Sequence, residues 1–214
     1  MKTKTERHNS GRALVLTALI SLSLIVSAHP VETGENKMSV LQIGEKGPPL
    51  DFQLISGAPS PTWKDLEGKV VLVDFWTTWC SPCVAAFPAL NQLHQEFAGK
   101  DVAFFSVTYE PALFVRQFLE KHPLESTIGI DNTLGVFKSF HAWAIPVVFI
   151  FGRDGRLMTA VHVDHLDAAL ISQALSGKIE DVRQPEPYQD PAGAETYFGK
   201  LQRELQQKYP NPKS

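Results

Sequence analysis

Val70-Val71-Leu72-Val73-Asp74-Phe75-Trp76-Thr77-Thr78-Trp79-Cys80-Ser81-Pro82-Cys83 is the stretch on which the reading of this chain turns. Its first seven residues are apolar on both alternating faces apart from Asp74, which suits a central strand covered on both sides in an α/β sheet. Its last four hold the only two cysteines of the sequence, spaced Cys-x-x-Cys. Beyond them Val84, Phe87, Leu90, Leu93 and Phe97 step at three and four, so a helix is expected from Ser81 to Phe97. Pro88 removes a backbone donor inside it and should kink it. A thiol pair where a strand gives way to a helix reads as a dithiol/disulfide redox centre.

Outward from that centre, Asp101 to Thr108 is a second strand, which makes a β-α-β unit with a right-handed crossover. Pro111 opens a helix whose apolar side is expected to carry Leu113, Phe114, Phe118 and Leu119, and His122-Pro123 stops it. Asp131 to Phe140 reads as a short helix capped by Asp131 or Asn132. Val147 to Phe151 is another apolar strand, and Gly152-Arg153-Asp154-Gly155 turns it into Arg156 to Val163. Asp164 and Asp167 loosely resemble a capping box for a helix from Leu166 to Leu175 that Gly177 ends. Upstream, Leu50 to Leu54 alternates at the period of a strand.

The chain has 214 residues, 43% of them hydrophobic and 20% charged, enough for one well-buried core. A formal charge of −3 gives no reason to expect nucleic acid or an anionic membrane surface as a partner. The first 28 residues differ from the rest. Lys2, Lys4, Arg7 and Arg12 lead into Ala13 to Val26, a run without charge, and Val26-Ser27-Ala28 presents small residues at its end. That is the layout of a secretory signal cleaved near Ala28. The alternative is an uncleaved anchor facing the periplasm, although spanning a bilayer takes about 20 apolar residues and this run is shorter. Residues 29–45 read as a tether, 46–178 as the domain, and 179–214 as a polar, proline-bearing linker with a C-terminal helical tail. Export would place both cysteines in an oxidising compartment, the soluble product being periplasmic or otherwise exported.

Only a thiolate attacks a disulfide, so one sulfur should sit exposed at a helix N-terminus, where unpaired N–H groups stabilise negative charge. Cys80 holds that position, and Cys83, one turn on, can reach it. Pro82 lacks a donor that the first turn would leave unpaired in any case. Three other readings compete. A structural disulfide closing so small a loop would add only ~2 kcal/mol in the loop-entropy model. A zinc site would need histidines to complete it without the usual paired spacing. Unpaired buried thiols leave the two-residue spacing unexplained.

Val-Asp-Phe-Trp-Thr-Thr-Trp-Cys-Ser-Pro-Cys, the later Pro146 before an apolar strand, and the Gly-Arg-Asp-Gly turn resemble the thioredoxin superfamily, in particular the exported TlpA/ResA-like thiol:disulfide oxidoreductases. The resemblance covers roughly residues 46 to 178. It implies a thioredoxin-like α/β fold, a central mixed β-sheet flanked by helices. It implies disulfide exchange with protein substrates, as a reductant, with no cofactor and no metal, by a monomer that an upstream thiol partner recharges and that meets the membrane only through its signal segment. Cys80 would attack and Cys83 resolve. Asp74 matches a carboxylate beneath the resolving cysteine that can take its proton. Pro146 matches a cis-proline beside the disulfide, and Trp79, Pro82, Ile145 and Pro146 would meet the substrate, with Trp76 and Trp79 shielding the site. His141 to Val147 lacks the glycine before that proline and the acid after it that relatives in cytochrome c maturation carry, a departure from that role. Two alternatives belong to other classes. One is a peroxiredoxin-like thiol peroxidase, with Thr77 three residues before Cys80 but Val73 where that motif has proline. The other is a non-catalytic binding module with a static disulfide.

Overall fold

The computed structural model describes residues 41–142 and 144–179, together with Glu204 and Gln207. The expected signal segment, most of the tether, Trp143 and nearly all of the C-terminal tail lie outside the described residues. Among those described, no helix is long and apolar enough to cross a membrane.

The apolar run before the cysteines forms β2 (Val70–Phe75), and every residue of that strand is buried, as coverage on both faces requires. Around it the chain builds β1 (Gln53–Leu54), α1 (Ser81–Ala85), α2 (Phe87–Glu96), β3 (Val102–Thr108), α3 (Ala112–Leu119), β4 (Thr127–Ile130), α4 (Gly135–Ser139), β5 (Val147–Phe151), β6 (Leu157–Val161) and α5 (Ala168–Ser176). The six strands form one sheet in the order β1-β4-β3-β2-β5-β6. β2, β3 and β4 run parallel, whereas β5 pairs antiparallel with both β2 and β6. The sheet is therefore mixed, and β2 lies inside it. Side chains alternate across a strand, so the even and odd residues of β2 serve two separate cores. Val71, Val73 and Phe75 pack with Phe105, Phe137, Phe140, Phe149 and Phe151. Val70, Leu72 and Trp76 pack with Cys80, Cys83, Phe87, Phe104, Val148 and Ile150.

Four local features differ from the sequence reading, each for a physical reason. Pro88 does more than kink a helix. It cannot donate to the carbonyl of Val84, and the helix breaks at Ala86 into α1 and α2, with Pro88 tolerated in the first turn of α2. α3 turns Val115 inward and packs Phe118 and Leu119 against the core as expected, but it leaves Leu113 71% and Phe114 41% exposed, contrary to the expected apolar side. Asp167 alone caps α5, its Oδ1 accepting from the Leu170 N–H at 2.8 Å, and Gly177 ends that helix in the left-handed conformation at φ 78°. Only Gln53 and Leu54 of the upstream alternation pair as a strand, although Leu50 and Phe52 are buried as that alternation requires. For α4, Asp131 acts as the cap: its carboxylate accepts from the N–H groups of Gly135, Val136 and Phe137.

Candidate active site

Three chain segments meet at one edge of the sheet. β2 and β3 are parallel, so both end there, and β5 is antiparallel to β2 and begins there, with Val147 opposite Phe75. The cysteine loop leaves the end of β2, the Tyr109-Glu110-Pro111 loop leaves the end of β3, and the Ile145–Pro146 peptide, which is cis, enters β5.

Cys80 and Cys83 are joined in a disulfide, with their Cα atoms 5.3 Å apart. Cys80 is the N-cap of α1, and its Sγ accepts from the Cys83 N–H at 3.3 Å. In a five-residue helix the macrodipole is small, so the Cys83 N–H is the one local donor seen on this sulfur among the described residues. The expected exposure of the attacking sulfur is not met in the disulfide form, where Cys80 is only 5% exposed. The bridge turns it toward Cys83 within the apolar cluster. The exposed residues of the motif are its neighbours: Ser81, Pro82 and, at 61%, Trp79. Trp79 projects outward, whereas Trp76 is wholly buried, its ring 5.1 Å from that of Phe87. Trp76 is therefore core packing beneath the site.

Asp74 points to the same face of β2 as Trp76, the face that packs against both cysteines. Burial pushes its carboxyl up to about 7, and a hydrogen bond from Ser106 offsets only part of that rise. Its Oδ2 has no hydrogen-bond partner among the described residues. A carboxyl with a free oxygen and a pKa near neutrality can accept a proton and return it. Pro146 is buried and Ile145 half-buried at the start of β5. His141, in the preceding loop, adopts the left-handed conformation at φ 54°, and partial burial lowers its pKa.

Sequence reasoning missed Glu110. This carboxylate is buried, and its two oxygens accept from the Thr78 N–H at 2.6 Å and from the Thr78 hydroxyl at 2.8 Å. It ties the end of β3 to the loop two residues before Cys80 and so fixes where that loop leaves the strand. The signal available in the sequence was an acid two residues past the end of a strand expected to lie beside the cysteine strand; its partner, 32 residues away, was not readable. No group of three or more His, Cys, Asp or Glu residues among those described is arranged to hold a metal ion.

Known proteins resemble this arrangement. The AhpC/TSA family matches residues 43–160. The thiol-disulfide oxidoreductase ResA of Bacillus anthracis is 27% identical over 122 residues, 56% of this chain and 70% of that protein. The thioredoxin-like protein YneN of Bacillus subtilis (strain 168) is 30% identical over 148 residues, 67% of this chain and 85% of that protein. The crystal structure of a thiol:disulfide interchange protein of the thioredoxin family from Chlorobium tepidum TLS is similar at a TM-score of 0.53 and 18% identity, covering 65% of this chain and 98% of that one; at that identity the likeness is one of fold.

Proposed function

The chain belongs to the AhpC/TSA family, is thioredoxin-like, and is related to thiol-disulfide oxidoreductases; from that premise we propose that it is an exported enzyme that reduces disulfides in protein substrates through Cys80 and Cys83. The observation that carries this reading is the closed Cys80–Cys83 bridge at a helix start, with the Cys83 N–H on the Cys80 sulfur and Asp74 on the adjoining strand face. In the reduced enzyme the Cys80 thiolate attacks a substrate disulfide, forming a mixed disulfide and releasing one substrate thiolate. Cys83 passes its proton to Asp74 Oδ2, and its thiolate attacks Cys80 Sγ. The second substrate thiolate leaves, and two electrons have moved from the cysteine pair to the substrate. The product is the disulfide seen here, which an upstream dithiol reduces again. Trp79, Pro82, Ile145 and Pro146 border the place where the substrate sulfur would approach. Export is supported by the basic lead, uncharged run and small residues that end at Ala28.

Equilibration in glutathione and dithiothreitol buffers tests the direction. A reductant should have a midpoint nearer the about −270 mV of thioredoxin than the about −120 mV of a strong periplasmic oxidant. A midpoint near the latter would reverse the proposed direction.

Peroxide reduction is a second reading, favoured by the buried Thr77 hydroxyl, which has no partner among the described residues and lies three residues before Cys80. Rapid peroxide consumption that depends on Cys80 would support it.

A further inference from the structure

Asp74 sits in an otherwise apolar cluster with no direct contact with water at its Oδ2, yet a group that takes up a proton must also exchange it with solvent. One polar track leads away from it. β3 runs parallel to β2 with Ser106 opposite Asp74, so the two side chains share a sheet face. Ser106 is the side chain that holds the Asp74 pKa below where burial alone would put it, as a hydroxyl facing the carboxyl does. Ser126, just before β4, donates its hydroxyl to Ser106 Oγ at 2.7 Å. Ser106 is buried and Ser126 half-buried, so exposure rises along the track. A buried hydroxyl in apolar surroundings costs stability unless paired, and among the described residues Ser106 is paired along a line from Asp74 to Ser126.

We propose that Ser106 and Ser126 form a hydroxyl relay that carries the Asp74 proton between the buried resolving step and solvent. The proposal rests on the redox reading of Cys80 and Cys83. In discharge the two hydroxyls turn from the direction seen here, so that Asp74 gives its proton to Ser106 Oγ, Ser106 gives its own hydroxyl proton to Ser126 Oγ, and Ser126 gives its proton to water. Each serine ends with the one proton it began with, Asp74 has one fewer, and no electrons move. Charging runs in reverse. The relay is a positioning and proton-conducting device, and neither serine touches the reacting sulfurs.

On this side of the sheet the aliphatic Val148 of β5 lies opposite Asp74 in register, and the cluster that covers this face among the described residues contributes Cys80, the N-cap of α1, and Cys83. At the outer end, Glu125 adjoins Ser126, is exposed, and engages Gln95 and His94. A pH effect that disappears with Asp74 is therefore assignable to the relay.

The test is stopped-flow reaction of the reduced full chain with excess dithiobis(nitrobenzoate). Attack by Cys80 gives a first, concentration-dependent release of thionitrobenzoate, and closure by Cys83 gives a second, concentration-independent one. At about pH 6 Asp74 starts mostly protonated and must discharge before it can take the Cys83 proton, whereas at about pH 8.5 it starts ionised. Ser126→Ala is expected to slow the second release several-fold at the lower pH, to leave it unchanged at the higher pH, and to leave the first release unchanged at both. Ser126→Thr, which keeps a hydroxyl, should restore the parent rate. In an Asp74→Asn background Ser126→Ala should change nothing further. Ser106→Ala should mimic Ser126→Ala, and if that buried replacement fails to fold, the Ser126 series decides alone. A parental second phase in Ser126→Ala at both pH values overturns the relay, as does an equal loss at both or a loss that persists without Asp74. Absence of the first release in the parent overturns the redox reading itself, and the relay with it.

Discussion

The two faces of β2 are built from alternate residues of one strand and do different things. On one face Val71, Val73 and Phe75 meet an aromatic-rich layer in which Phe75 lies 4.7 Å from Phe137, 5.2 Å from Phe140 and 5.7 Å from Phe149, centroid to centroid. On the other face Leu72 and Trp76 flank a carboxylic acid, and the strand runs on into a disulfide. Among the described residues, buried side-chain atoms without a partner fall on three of four consecutive residues: Asp74 Oδ2 and Trp76 Nε1, and Thr77 Oγ1 just past the strand. A buried unpaired polar group costs on the order of 1–3 kcal/mol. Packing alone accounts for the aromatic face. Asp74 and Trp76 put groups that stability disfavours on the other face, at the place where the chemistry is proposed, and such local violations are expected at functional sites.

Substitutions on the two faces should separate stability from chemistry. Cys80→Ser should abolish disulfide reduction while leaving the fold intact, checked by turnover against a model disulfide and by thermal melting. Phe75→Ala, on the aromatic face, should cost about 3–5 kcal/mol in denaturant unfolding, with the redox midpoint of the folded fraction unchanged. A midpoint that shifts with Phe75 would break the division between faces.

Asp74→Asn should do the opposite of Phe75→Ala. Its carboxyl rises from 3.8 to about 7 on folding. The folded chain therefore holds a proton that the unfolded chain releases, and stability falls as pH rises from about 4 through about 7. At 1.36 kcal/mol per unit that penalty reaches about 4 kcal/mol above neutrality. The new buried amide takes part of it back, leaving a gain on the order of 2 kcal/mol at about pH 8 that disappears below about pH 4. The same variant should slow closure of the disulfide by about 10²-fold or more, the usual worth of a placed proton acceptor. A variant no more stable than the parent at high pH would show that the carboxyl is not strained there. The smallest effect is expected from Glu110→Gln, about 1 kcal/mol, because one Thr78 hydrogen bond can be kept and the other weakens. Its readout is the thiolate absorbance of Cys80 against pH: a loop held by Glu110 predicts a shifted titration, whereas a purely structural role predicts none.

Local patterns in the sequence were enough for β2, for helical structure after the cysteines though not for its break at Ala86, and for the Asp131 and Gly177 caps, because each is decided within a few residues. Contacts from afar were hidden. Glu110 matters through Thr78, and Ser106 and Ser126 through their alignment beside Asp74, which needs the strand register. The error on α3 has a different origin. Pro111, Val115 and Phe118 form one stripe at helical spacing and Phe114 with Phe118 another, so periodicity alone did not say which the sheet would cover. The core took Val115, and Leu113 and Phe114 stayed outside.

The most direct test of the central claim is to trap the first intermediate. Cys83→Ala leaves Cys80 without its resolving partner, so, incubated with exported proteins and quenched in acid, it should accumulate client proteins disulfide-bonded to Cys80, identified by mass spectrometry. Cys80→Ala under the same conditions should accumulate few. Equal yields from the two variants, or none from Cys83→Ala, would contradict the account.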